Sequence, residues 1–325
     1  MSAIRAMTLF AALALPPATA LAQAPVLQSP VRCAMQDVCW VVQYFDHQAG
    51  PLAADYLGGD RSYDNHTGTD IGLVNYAAMA EGVPVVAAAD GVVGGARDGM
   101  PDSGHQNLDQ EAVQGRECGN GVRVDHGNGW QTLYCHLRQG SVTVSTGDQV
   151  AAGEVLGMIG QSGLAAFPHV EFGVLHNGDK VDPFLLEDGS SLWSAATVGQ
   201  LTYSPMDIYH VGFATGVPEW ADVQAGEYAG TEFPTDSEAL IVWVEMFSVQ
   251  QGDDVRIEIF AADGSALLDH SEPVKKDQAR IFRFVGKKRP GSAWPIGSYR
   301  ANVTITRDQN GQTVSRARSI TAEFQ

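Results

Sequence analysis

The chain has 325 residues, is 44% hydrophobic, and carries 38 acidic against 20 basic residues, a formal net charge of −18. The length suits two domains, and the apolar content suffices for packed cores. The charge argues against nucleic acid and anionic lipid surfaces as partners and leaves neutral or cationic polymers open.

The first 22 residues read as a secretory signal. Arg5 supplies the positive start, "MTLFAALALPPATA" the apolar stretch, and "ALA" at 20–22 a small-x-small site, so cleavage is expected after Ala22. A cut after Ala24 would put Pro25 first in the mature chain, which is disfavoured. Pro16 and Pro17 break a short run, which makes an uncleaved anchor the lesser reading. No cysteine follows the site to carry a lipid, and no second apolar run has spanning length. The expectation is an exported protein, periplasmic or extracellular, with no membrane span once the signal is removed.

The 23–54 segment carries Cys33 and Cys39 around "AMQDV" and one edge strand, "CWVVQYF". From 55 to 190 short strands follow one another, broken by glycine, with no long amphipathic helix: "VPVVAAADGVVGGAR" gives two strands, a polar insertion occupies about 98–117, and "NGVRVDHGNGWQTLYCHL" reads as a hairpin turning at "HGNG". That hairpin brings Cys118 close to Cys135, with the register short of direct opposition, so a bulge is expected there. The local pairings Cys33–Cys39 and Cys118–Cys135 are therefore favoured, each contributing roughly 2–4 kcal/mol. The stretch "LEDGSSLWSAATVG" reads as a boundary, and 204–325 as a second strand-rich unit of about seven strands, the pattern of an immunoglobulin-like sandwich. It has no cysteine, and its Trp243 and Trp294 are expected in the core.

No HExxH, GxSxG or phosphate loop occurs. The chemistry-bearing residues are His66 and Asp70 in "HTGTD", His136 in "YCHL", and His169 with Glu171 in "PHVEF". His169 and Glu171 share one strand face, where they can bind a metal, share a proton or simply pair. The remaining histidines, His47, His105, His126, His176, His210 and His270, are taken as surface or turn residues.

This ordered series, with "GMIGQSG" at 157–163, resembles the lysostaphin and LytM type of zinc metallopeptidase, whose pattern is H-x-x-x-D, Y-x-H-L, G-x-x-G-x-[ST]-G and P-H-x-H-F. The resemblance covers about residues 55–185 and implies an all-β duplicated hybrid motif, a barrel-sandwich shared with lipoyl and biotinyl carriers. The carrier reading fails because no lysine lies between Arg138 and Asp179. Carried over residue by residue, the resemblance makes His66 and Asp70 metal ligands and places His136 and His169 beside the attacking water and the oxyanion. The third ligand position falls on Glu171, where the family has histidine. One imidazole and two carboxylates leave a formally neutral zinc site, which polarises a carbonyl less and shifts preference toward harder ions such as Mn²⁺. Zinc, manganese and a metal-free relic thus stay open. The implied activity is endopeptidase cleavage of peptidoglycan cross-links. The alternative is a weak or inactive module that binds peptidoglycan or activates a cell-wall amidase, and the C-terminal sandwich is expected to offer a surface to another envelope protein.

Overall fold

The computed structural model describes residues 24–104, 113–309 and 311–325. The signal reading at 1–22, His105 and the middle of the polar insertion lie outside the described residues. Strands dominate, in keeping with the all-β expectation. Among the described residues helix is confined to short segments such as α1 (Tyr76–Glu81), α2 (Ala195–Gln200) and α3 (Trp220–Ala225). No helix among the described residues is long and apolar enough to cross a membrane.

The N-terminal part is an eight-stranded sheet built from β1 (Cys39–Gln43), β2 (Thr69–Leu73), β4 (Gly91–Arg97), β5 (Asn120–Gly127), β6 (Trp130–Leu137), β7 (Gln149–Val150), β9 (His169–His176) and β10 (Asp179–Val181). Its order is β1-β2-β9-β6-β5-β4-β7, with β10 also paired to β9. A two-stranded sheet, β3 (Pro84–Val86) with β8 (Val155–Met158), lies beside it. The β5–β6 turn is Asn128-Gly129, both at positive φ, as a two-residue hairpin loop requires. The expected bulge is present, between Asn120 and Val122, and both disulfides form, Cys33–Cys39 and Cys118–Cys135. Alternation sorts β9 by face: Val170, Phe172 and Val174 fill the core at 0–1% exposure, which turns His169 and Glu171 to the other side.

The C-terminal part has more and longer strands than the seven short ones expected. A three-stranded sheet runs β11 (Asp207–Ala214), β13 (Ala239–Val249), β16 (Gln278–Lys288). A five-stranded sheet runs β12 (Glu232–Phe233), β18 (Gln312–Phe324), β17 (Gly297–Gln309), β14 (Asp254–Phe260), β15 (Ala266–Pro273). One apolar cluster joins residues of both sheets, Val242 and Met246 on one side with Ile257, Val303 and Phe324 on the other. Trp243 and Trp294 are buried at 1% and 2%, as expected of core residues.

The two parts touch through side chains that no local pattern marks. Trp40 of β1 packs with Tyr209 of β11 and Phe247 of β13. Arg61 is 1% exposed and donates to the carbonyls of Val41, Val42 and Ser204, with its guanidinium 4.2 Å from the Phe247 ring centre.

Candidate active site

Three neighbouring strands, together with the loop before β2 that carries His66, deliver the five candidate side chains to one place. β9 lies between β2 and β6, and its register puts Asp70 opposite Glu171, Gly72 opposite His169, and Cys135 opposite Glu171. Residues directly opposite in an antiparallel pair project to the same face. Two carboxylates in that relation repel unless a cation or proton lies near. Gly68, in the loop before β2, makes the approach possible: a Cβ there would stand 2.7 Å from Cγ of Glu171.

His136 reaches the site through the β6 bulge. It has φ +63°, a left-handed conformation that costs a non-glycine residue energy. Its N–H donates to the Cys118 carbonyl at 2.8 Å, so the disulfide-bonded Cys118 fixes the turn. Bulges redirect side chains in this way beside functional sites.

The three imidazoles share one arrangement. Nδ1 of His66 donates to Tyr44 O at 2.7 Å, Nδ1 of His136 to Ser162 O at 2.8 Å, and Nδ1 of His169 to Phe167 O at 2.8 Å. A carbonyl only accepts, so each Nδ1 holds a proton, and Nε2 of each ring is turned inward. There the Nε2 atoms meet carboxylate oxygens: His66 and His169 stand 3.1 and 3.8 Å from Asp70 Oδ1, and His136 is 3.4 Å from Glu171 Oε2. Nitrogen and carboxylate oxygen facing each other at these distances call for a bound proton or a metal ion between them.

The titration tendencies follow from the same contacts. Burial pushes the Glu171 carboxyl up, but the hydrogen bond and charge of His136 outweigh it and hold Glu171 down at about 2. Burial lowers the His66 ring, and the Asp70 hydrogen bond reverses this to a net rise. For His169 burial prevails over Asp70 and keeps the ring low.

In kind, the donors suit zinc, which takes imidazole nitrogen and carboxylate oxygen, and the Nδ1–carbonyl bonds are the usual means of orienting such imidazoles. In placement they are not closed around one point: among the described residues no trio of His, Cys, Asp or Glu stands ready to hold a metal ion. The Glu171 carboxylate pairs with His136, while Asp70 faces His66 and His169.

Sequence reasoning missed several neighbours. Tyr63 stacks on His66 at 4.3 Å between ring centres, and burial with the charges of Asp70 and Glu171 drives its hydroxyl pKa well up. Ser162 lies in "GMIGQSG": its carbonyl holds His136, and its hydroxyl accepts from Asn120 N and donates to Leu137 O. Two histidines taken as surface or turn residues have buried partners, His47 with Asp182 at 2.7 Å and His210 with Glu245 at 3.0 Å. An isolated histidine carries no sequence signal for a partner that arrives from a distant strand.

Residues 64–183 match the model of the family described as Peptidase family M23. A Neisseria meningitidis protein named DD-carboxypeptidase/endopeptidase Mpg is 35% identical over 120 residues, 36% of this chain and 22% of that protein. The Vibrio cholerae peptidoglycan DD-endopeptidase ShyC is 31% identical over 122 residues, 38% of this chain and 23% of its own. The match thus spans less than a quarter of the length of these relatives. A solved catalytic domain of the M23 protein EnpA from Enterococcus faecalis aligns with 49% of this chain and 94% of its own, at 21% identity and a TM-score of 0.33. The ordered histidines and carboxylates that three strands and the loop before β2 gather, together with the family match over the same stretch, make residues 64–183 a peptidase family M23 domain.

Proposed function

We propose that the chain is a metal-dependent endopeptidase that cuts peptide cross-links of peptidoglycan outside the cytoplasm. The observation that carries it is the set of three imidazoles, each tied by Nδ1 to a backbone carbonyl and each presenting Nε2 to the Asp70–Glu171 carboxylates. The matched relatives are named as peptidoglycan or D,D-peptidases, and the two disulfides suit an oxidising, extracytoplasmic compartment. In this reading 55–190 is the catalytic domain and 204–325 a second domain beside it.

His66, Asp70 and Glu171 would hold a zinc ion, or a harder ion such as Mn²⁺. When bound, the ion supplies Lewis acidity toward the substrate carbonyl and acidifies water. The remaining steps fall to the chain's own groups. His169 and His136 lie side by side, ring centres 4.6 Å apart. With Nδ1 protons fixed on carbonyls, the Nε2 lone pair of one ring takes the proton of the attacking water, and the Nε2–H so formed donates to the developing oxyanion and passes the proton to the leaving amine. Tyr63, exposed above His66, offers a second donor at the rim.

A second reading has one observation in its favour: His169 Nε2 is within 3.8 Å of Asp70 Oδ1, while the ion pair of Glu171 is with His136. There His169 would be the third ligand and Glu171 the base.

Metal content separates the readings. Elemental analysis of the purified chain should give one zinc or manganese per chain, lost in Asp70→Ala. Loss in Glu171→Ala with retention in His169→Ala supports the first reading, and the reverse supports the second. A wild-type chain without metal that gains it in Glu171→His would refute the metallopeptidase proposal and favour the non-catalytic alternative.

A further inference from the structure

A cleft enclosing about 940 Å³, including its open mouth, lies next to the site and is lined from both halves of the molecule. Phe167, Pro168 and Gln161 come from the strand-and-loop region that carries His169, Tyr76 from α1, and Trp220, Gln224 and Arg280 from the C-terminal part. The Phe167 ring is the shared wall. It stacks on His169 at 4.6 Å between centres, and the Arg280 guanidinium carbon lies 5.9 Å from the same ring. The two steps together bound the His169–Arg280 separation by the length of about three residues of extended peptide. Phe167 can lie so close to β2 because Gly72 has no side chain: a Cβ there would stand 2.9 Å from Phe167 and 2.7 Å from Val42.

The chain as a whole is strongly acidic, yet no carboxylate is among the described residues lining this cleft. Its cation is Arg280. Nε and Nη2 are committed behind the cleft, donating to the Tyr209 hydroxyl and to the fully buried Glu245. Glu245 is in turn held by Trp220 Nε1 at 2.6 Å and His210 at 3.0 Å. This network fixes the guanidinium plane and the Trp220 indole, the Arg280 guanidinium carbon standing 5.8 Å from that ring. Among the described residues Nη1 of Arg280 has no hydrogen-bond partner. Because Glu245 offsets much of its charge, Arg280 acts through this oriented N–H donor at short range rather than through a long-range field.

We propose that the C-terminal part completes a substrate subsite of the M23 domain, in which Arg280 and Trp220 receive a carboxylate-bearing residue of the peptide within about three positions of the scissile bond. The inference rests on the peptidase reading for its substrate, and extends it by assigning specificity to residues outside the matched domain.

Equilibrium binding tests it on the full-length chain treated with a chelator, so that turnover plays no part. The probes are the peptidoglycan stem peptide with free carboxylates and the same stem fully amidated. Amidation should weaken binding to the wild type roughly tenfold, the worth of one charge-assisted hydrogen bond. Arg280→Gln should bind both stems equally and weakly. Gln224→Glu leaves the Glu245 network intact and should weaken the acidic stem alone, which decides the matter if Arg280→Gln does not fold. Equal affinity of both stems for the wild type, or unchanged affinity in folded variants, overturns the proposal. A chain that shows the binding pattern but cleaves no cross-link leaves the subsite standing and removes the peptidase reading, while cleavage without the pattern does the reverse.

Discussion

Arg61 offers the most direct check on how the two halves are joined. It is fully buried, and among the described residues no carboxylate forms an ion pair with its guanidinium. Burial lowers its pKa, and the facing groups, Tyr44 first, counter this. It is held instead by the Val41, Val42 and Ser204 carbonyls and by the rings of Phe247 and Tyr44. Val41 and Val42 are free to accept because β1 has a register break between Val41 and Gln43. Arg61→Met keeps much of the apolar contact and removes every donor. Stranding three carbonyls costs about 2 kcal/mol each, roughly 6 kcal/mol together. Relief from desolvating an ion returns about half of that. The net loss is then about 3 kcal/mol, a fall in Tm of roughly 6–10 °C. Because Arg61 bridges β1, the Ser204 connection and β13, calorimetry should also show one transition splitting into two. Arg61→Lys keeps the charge without the fork and should recover less than half of the loss. A single transition with Tm within about 1 °C of wild type would refute this account of the junction.

Replacing both Cys118 and Cys135 by serine removes a cross-link of sequence separation 17. Unfolding in urea should then show about 3 kcal/mol less stability, and an unchanged midpoint would contradict the expectation. Glu245 predicts a pH dependence. Burial raises its pKa, but His210, Trp220, Arg280 and Tyr209 hold it below the ordinary 4.5. A carboxyl lowered in the folded state contributes stability above its unfolded pKa and loses it as pH falls through the folded one. The wild-type Tm should therefore drop as pH falls below the ordinary 4.5, and Glu245→Gln should flatten that part of the curve; a parallel profile in the variant would contradict it.

The sequence by itself determined what local spacing encodes. Asn128-Gly129 between alternating runs set a hairpin, and β9's alternation divided core from site before any contact was known. The ordered motifs placed His66, Asp70, His136, His169 and Glu171 in segments that the sheet does bring together. Tertiary structure decided what depends on register between strands distant in the chain. Only the β2–β9 pairing makes Asp70 and Glu171 face each other, and only the β6 bulge turns His136 inward at a left-handed φ. The proton positions on the imidazoles depend on carbonyls of Tyr44, Ser162 and Phe167, which no motif labels as partners. Arg61, Trp220 and Arg280 had no sequence signal at all. A charged or aromatic residue in a loop, a short helix or a strand reads as solvent-facing until a distant element packs over it, and that packing is a long-range burial event with no local periodicity.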